Sequence, residues 1–369
     1  MHAHIIYYNY LKPDGNGMSI GGIQTYITNL IPILKECGYS VSVYQRANLD
    51  FHKKNDDCDI YGVAHQEHVG INVARAILSK VLSKLDKTND LLIYGCETCI
   101  TQKVDCRTIA IQHGISWDIP YETCSPIRYL RHFIGKFRMA WVTSNRVNKV
   151  DTLVCVDYNF LNWHRAVSPY IRSKHTVIPN FSEIPTVCPV KNNEMINIIF
   201  ARRLFPHRGT RLITSVVKRV FATHHNVRFT IAGDGPDANY MHQELDSYEN
   251  VRFITYASNE SLKIHEDEDI AIIPTIGSEG TSLSLLEAMA SGCAVVCTNV
   301  GGMTNIVLDG YNGIMTSPDE NSIYKGLTQL IQQPALLATI QNNAYNTVKE
   351  AFSLAKWTEK WREVIKNAY

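Results

Sequence analysis

Ile270–Asn299, IAIIPTIGSEGTSLSLLEAMASGCAVVCTN, is the stretch whose reading decides the fold. Two apolar runs, IAIIPT and AVVCTN, have the length and β-branched content of buried strands. Between them lies a polar, glycine-containing loop, and then Leu286, Met289 and Ala290 fall into helical period. Strand, loop, helix and strand in that order form the repeating unit of a parallel sheet. Ser282 or Ser284 can cap the helix, which places Glu279 just before its N-terminus, where free N–H groups and the helix dipole attract anions. A carboxylate at that point repels phosphate, so Glu279 is expected to grip neutral hydroxyls. Glu287 lies a turn inside the helix, and its side chain leans back toward the same mouth. The pair asks for a ligand with both phosphate and polyol parts.

The same grammar extends in both directions. HIIYYNY at His4–Tyr10 reads as a first strand, followed by a Gly-bearing loop (13–22) and an amphipathic helix from about Ile23 to Cys37. SVSVYQ, LLIYG, TIAIQH, TLVCVD and HTVIPN supply further strands up to Asn180. Residues 182–195 contain Pro185 and Pro189 and read as a linker. INIIFA at 196–201 restarts the pattern, which continues through a helix from about Thr210 and the strands VRFTIAG and VRFI. The expected architecture is α/β, with two Rossmann-like doubly wound domains facing a cleft. The expected domains are 1–181 on the acceptor side, 182–353 for the phosphate-polyol ligand, and a helix within 354–369 that returns to the first domain.

The 369 residues carry 36 Lys/Arg against 35 Asp/Glu, but the two signs are unevenly spread. Residues 1–180 hold 20 cations and 15 anions, the remainder 16 and 20. Much of the excess lies in Thr123–Val150, where Arg128, Arg131, Lys136, Arg138, Arg146 and Lys149 occur without an acid, interleaved with Tyr129, Phe133, Phe137, Met139 and Trp141. Such a segment fits either an anionic membrane surface or an ordinary solvated helix face. Near-neutral overall charge argues against nucleic acid as a partner. No window reaches the ~20 apolar residues of a membrane span, and the N-terminus shows no secretory h-region. Ten cysteines in that context point to reduced thiols and a cytoplasmic setting, with the inner face of the plasma membrane as a peripheral location. Cys96-Glu-Thr-Cys99, with Cys106 and Cys124 beyond, lacks the second CxxC of a zinc ribbon. Asp57-Cys-Asp59 and Asp267-Glu-Asp269 have the form of metal-holding DxD pairs, but read as solvated charge, so no metal and no cofactor are expected.

ARRLFPHRGT (201–210), IAGDGP (231–236), EGTSLSLLEAMASGCAVV (279–296) and GGMTNIVLDGYNGIM (301–315), in this order and spacing, resemble the retaining glycosyltransferases of family 4, of GT-B fold. The resemblance implies transfer of a sugar from a nucleotide diphosphate, UDP first, to a hydroxyl of a glycan or lipid-linked glycan in surface polysaccharide assembly. It implies that Arg203 and Arg208 neutralise the diphosphate, Arg208 standing where the family has Lys, with Arg202 able to share the role. Gly21 and Gly22 match the N-terminal glycine loop, and His113 at a strand end is expected at the donor sugar, with Asp118 a lesser candidate for acceptor or base chemistry. Glu279 would hold sugar hydroxyls, the amides of Gly280, Thr281, Ser282 and Leu283 the sugar or phosphate oxygens, and Glu287 the ribose diol. The base would meet the loop around Tyr256–Ser258. An NAD(P)-dependent enzyme is disfavoured because Gly15, Gly17, Gly21 and Gly22 do not make GxGxxG. A GT-B epimerase and a non-catalytic nucleotide-sugar-binding subunit are the remaining alternatives.

Overall fold

The computed structural model describes residues 1–19, 21–120, 125–191 and 194–367. The chain forms two compact units: residues 1–114, 122–179 and 357–369 make the first, and 115–121 with 180–356 the second. Residues 115–121 therefore group with the second unit, although the sequence places them inside the first.

In the first unit, eight strands are β1 (His2–Ile6), β2 (Ser40–Ala47), β3 (Phe51–Lys54), β4 (Asp59–Ala64), β5 (Leu91–Tyr94), β6 (Arg107–Gln112), β7 (Thr152–Cys155) and β8 (Lys174–Val177). Their order across the sheet is β3-β4-β2-β1-β5-β6-β7-β8, parallel throughout except for β3, which pairs antiparallel with β4. The helices are α1 (Gly22–Glu36), α2 (Ile71–Leu82), α3 (Pro126–Val147) and α4 (Tyr158–Val167). The β3–β4 hairpin escapes the sequence reading because FHKK and DIYGVA are too polar to resemble buried strands; β3 is an exposed edge.

The second unit holds β9 (Ile196–Ala201), β10 (Val227–Ala232), β11 (Val251–Ile254), β12 (Ile270–Ile273), β13 (Ala294–Thr298) and β14 (Ile314–Thr316), parallel in the order β11-β10-β9-β12-β13-β14. Helices α5 (Thr210–Phe221), α6 (Ala238–Leu245), α7 (Leu283–Ala290), α8 (Glu320–Gln332) and α9 (Pro334–Ala351) cover it. Alternation along β9 shows why the strands read as unbroken apolar runs. Ile198 and Phe200 enter one core with α5, α6 and α8, while Ile199 and Ala201 enter another with α7 and α9.

The last helix, α10 (Leu354–Lys366), buries Trp357, Trp361 and Ile365 at four-residue spacing. From Trp357 onward it belongs to the first unit, where Trp361 Nε1 donates to the Tyr26 hydroxyl at 2.9 Å and Arg362 pairs with Glu36 at 2.6 Å. Each such buried side chain contributes roughly 1.5–3 kcal/mol. The segment read as a linker is tied down instead: Ser182 bonds Phe352, the Tyr345 hydroxyl donates to the Pro185 carbonyl at 2.8 Å, and Lys191 donates to the His265 carbonyl at 2.9 Å.

Neither DxD is free charge. Asp57 and Asp59 pair with Lys35 and His52. Glu268 and Asp269 are buried rather than solvated, the first bonded to Thr230 and Arg252, the second accepting the Asn197 N–H at 2.8 Å. The Cys96 and Cys99 sulfurs lie 3.3 Å apart as free thiols, and Cys124 is outside the described residues. Among the described residues no group of His, Cys, Asp and Glu is arranged to hold a metal ion, and no helix is long and apolar enough to cross a membrane.

Candidate active site

The ends of β9 and β12 bring Arg202, Arg208, Thr275 and Glu279 together in the second unit. Arg202 directly follows β9, and its backbone N–H bonds Ala232 at the end of β10. Gly233 makes this close approach possible, since a Cβ there would lie 2.1 Å from the Arg202 carbonyl oxygen. Arg208 closes a short 3₁₀ turn ahead of α5. Both guanidiniums donate to one atom, Glu279 Oε2: Arg202 Nη2 at 2.6 Å and Arg208 Nη1 in a still closer contact. The Thr275 hydroxyl adds a third donor at 3.2 Å and also accepts from Arg202 Nη1 at 2.5 Å. Arg202 and Glu279 are 9% and 8% exposed, so the cluster is inside the protein.

Charge decides what such a cluster can bind. Burial alone would raise the Glu279 carboxyl, but Arg202 and Arg208 outweigh it and hold the group below its usual range. Arg208 is pushed down to about 10, first by burial and then by repulsion from Arg202 and Arg203, against the pull of Glu279. It stays protonated at neutral pH. Arg202, Arg203 and Arg208 thus share one another's field, and two of them pair with the Glu279 carboxylate. The conflict seen in sequence, a carboxylate at an anion site, disappears because two cations cover its Oε2 while Oε1 stays uncommitted.

Arg203 does not join the ion pair. It is exposed, with its guanidinium 5.5 Å from the centre of the Phe205 ring. Arg202, a secondary candidate in the sequence, is the arginine that holds Glu279. Two adjacent arginines just past a strand end carry no sequence signal for which one turns inward.

The loop around Glu279 is fixed from several sides. Asn180 donates to Thr281 twice, N to Oγ1 at 2.8 Å and Nδ2 to the carbonyl at 2.5 Å. Asp118 accepts the N–H of Ser278, a non-glycine residue at φ 60°, at 2.7 Å, so its carboxylate is committed to shaping this turn. Gly302 packs so closely that a Cβ would lie 2.5 Å from the Thr281 nitrogen, which explains the GG of GGMTN. Gly280 forms the other half of this contact, Ser282 caps α7 by accepting from Leu285 N at 3.4 Å, and Leu283 is the first helical residue. Asn180 and Thr275 went unrecognised in the sequence because ordinary strand-end polar residues look the same.

Glu287, on α7, is partly buried, and burial pushes it up to about 7 against a hydrogen bond from Ser261 and the field of Arg202. Tyr256 is pushed up to about 12, first by burial and then by Glu287, so this phenol and carboxylate are neighbours. A carboxyl that titrates near neutrality beside a tyrosine suits a vicinal diol.

The first unit holds the remaining candidates. Gly21 caps α1 and Gly22 opens it, with no acid in the first turn. His113, immediately after β6, has Nε2 2.9 Å from the Gly95 carbonyl and its ring edge-on to Tyr26 at 5.3 Å. Burial lowers it to about 4, partly offset by the bond to Gly95, so at neutral pH Nε2–H donates and Nδ1 remains an acceptor.

Comparison with known proteins bears on the fold and on the sequence of the second unit. Residues 189–347 match the family model of glycosyl transferases group 1. An uncharacterised glycosyltransferase of Methanocaldococcus jannaschii is 29% identical over 177 residues, 47% of this chain and 44% of that protein. The chain spans about half the length of the curated relatives it matches. Sucrose-phosphate synthase from Thermosynechococcus elongatus superposes with a TM-score of 0.79 at 14% identity, covering 100% of this chain and 99% of that one. HepE of Anabaena, solved in complex with UDP-glucose, superposes with a TM-score of 0.72 at 14% identity over 100% of both chains. The fold is GT-B, and residues 189–347, which contain the arginine–glutamate cluster, are similar to the glycosyl transferases group 1.

Proposed function

We propose that this protein is a retaining glycosyltransferase that moves a sugar from a nucleotide diphosphate, UDP first, to a hydroxyl of a glycan or lipid-linked glycan in surface polysaccharide assembly. The observation that carries it is the buried pair Arg202–Arg208 on one oxygen of Glu279, with Arg203 in the same field. A leaving diphosphate gathers negative charge as its bond to the anomeric carbon breaks, and prearranged guanidiniums stabilise that charge. The acceptor oxygen forms the new bond on the same face, and its proton passes to the departing phosphate oxygen. Glu279 Oε1 is available to sugar hydroxyls, and Glu287 beside Tyr256 to the ribose. No metal is required in this scheme because the arginines supply the positive charge. HepE, crystallised with UDP-glucose on the same fold, supports UDP as the first nucleotide to try.

Thermal shift and nucleotide release across UDP- and GDP-sugars, with EDTA present and with and without acceptors, test the reading. Stabilisation by a nucleotide-sugar with acceptor-dependent release of nucleotide is expected. Acceptor-independent interconversion of the sugar would make the protein an epimerase. Binding without turnover would make it a binding subunit, and no stabilisation by any of them would remove the donor site altogether.

The surface of α3 supports a membrane-proximal acceptor. Ile127, Leu130, Phe133, Ile134, Phe137 and Trp141 recur at helical spacing and are all at least half exposed, while within the helix only Thr143 and Val147 are buried. Arg131 and Arg138 flank the stripe, and the described part of this segment, 125–150, contains no acid. Like charge disfavours a second copy on this face, whereas an anionic bilayer complements both its cations and its apolar stripe. Phe137→Asp with Trp141→Asp should abolish co-sedimentation with vesicles containing phosphatidylglycerol. Unchanged binding would show that α3 is an ordinary solvated helix.

A further inference from the structure

The first unit also holds a cavity lined by residues not so far given a role. β2 and β4 run parallel side by side, and the chain leaves both at the same end, through Asn48 and His65. At these ends is a cavity of about 510 Å³ lined by Arg46, Asn48, Ala64, His65, Gln66 and Glu67. The carboxyl ends of parallel strands are where open α/β sheets take ligands, and the volume falls within the range of small-molecule sites.

Arg46 makes this hollow unusual. It is 4% exposed and fixed within β2, its backbone N–H bonded to Tyr8 and its Nε donating to the His65 carbonyl at 3.0 Å. Nη1 is buried and has no hydrogen-bond partner, and among the described residues no carboxylate forms an ion pair with this guanidinium. The contrast with Arg202 and Arg208, which share a carboxylate, is sharp. A buried guanidinium without a counter-charge is costly to keep and becomes favourable once an anion reaches it. Around it stand the exposed side chains of Asn48 and Gln66, able to donate and accept. The one acid of the lining, Glu67, accepts from Asn72 Nδ2 at 3.2 Å, and its own N–H bonds His65 Nδ1 at 3.1 Å.

We propose that this cavity is an acceptor subsite that seats a polyol bearing one anionic oxygen group, a phosphate ester or a carboxylate, against Arg46. The assignment of the occupant as acceptor rests on the sugar-transfer reading above; the anion site itself does not. Calorimetric titration of the full chain with glycerol 3-phosphate, glucuronate and neutral glucose tests it. At least one of the two anions should bind more tightly than glucose, the phosphate alone indicating a phosphorylated acceptor and glucuronate alone an acidic sugar.

Arg46→Gln should weaken that anion by about tenfold or more, the usual scale for a charge-assisted bond. Because Arg46 is part of a central strand, two exposed changes provide an independent reading. Gln66→Glu should weaken the anion and Glu67→Gln should strengthen it, each by about threefold, the scale of an exposed charge pair. UDP-glucose affinity should stay constant in all three. Binding of neither anion, or indifference to both exposed changes, would overturn the site. Loss of UDP-glucose binding by the unaltered protein would overturn the transfer reading and leave the anion titration standing.

Discussion

The two units treat buried arginine in opposite ways. In the second, Arg202 and Arg208 converge on one carboxylate, and the loop around it is clamped by Asn180, Asp118 and Gly302. In the first, Arg46 is buried with a free Nη1, His113 is held by a single carbonyl, and α3 turns an apolar stripe outward. Preorganised paired charge suits a site that must stabilise the same leaving group at every turnover. Unpaired charge and uncovered apolar surface suit a unit whose partners complete it.

Replacing Glu279 by Gln should therefore have the largest consequence in the molecule. It leaves two buried guanidiniums without their counter-charge, a loss on the order of 3 kcal/mol of stability. Transfer should fall at least about a hundredfold. Denaturant unfolding and initial rates with a UDP-sugar measure the two. Wild-type values in both would mean that the Glu279 charge supports neither the fold nor the transfer and that the units do not differ in the way described.

Next in size is the contrast among the arginines. Arg208→Ala should lower turnover about a hundredfold with the fold intact, because Arg208 lies in the short 3₁₀ turn before α5 and outside both apolar cores. Arg202→Met should cost about tenfold, since Arg208 still reaches the shared oxygen. Arg203→Ala is informative in either direction. A tenfold loss of nucleotide affinity would show that the exposed guanidinium swings onto the diphosphate, and no change would leave the role with the buried pair.

Glu287 gives a smaller effect, visible in its pH dependence. Its folded value near 7 lies above the ordinary carboxyl range, so the ionised form that accepts two diol hydroxyls grows as pH rises through neutrality. Affinity for UDP-glucose, whose diphosphate diester does not titrate in this window, should rise about tenfold between pH 6 and 8. Glu287→Gln should flatten that slope. A slope that survives the substitution would separate Glu287 from the nucleotide.

Much of this was legible in the sequence, for physical reasons that also set the limits. Strands buried on both faces, such as INIIFA and IAII, announce themselves as apolar runs, and α7 by the spacing of Leu286, Met289 and Ala290. The β3–β4 hairpin did not, because an edge strand with exposed lysines carries no periodic signal. Glu279 and Arg208 were legible because their motif is local. The choice of Arg202 over Arg203 as the partner of Glu279 was not, since it depends on backbone direction past a strand end. Arg46 was illegible for a different reason: it lies in the strand run SVSVYQRA, where one cation looks like any solvent-facing residue, and only the pairing of β2 with β4 encloses it.

His113 yields the smallest of these effects and bears on the first unit alone. Burial lowers its folded value to about 4, below the ordinary 6.5, and the Gly95 carbonyl only partly offsets this. Below pH 6.5 the unfolded chain takes up a proton that the folded one refuses. The stabilisation is complete above 6.5 and is lost as pH falls toward 4, on the order of 3 kcal/mol over that window. Because the Tyr26 ring that packs on His113 also receives Trp361, the loss should appear as loosening of α10, read by tryptophan fluorescence during acid titration. His113→Gln keeps a donor for Gly95 without the titration, so it should remove this component while other acid-sensitive groups remain. If the fluorescence transition between pH 6.5 and 4 were the same in both proteins, His113 would be an ordinary packing residue and Nδ1 would have no claim on a ligand.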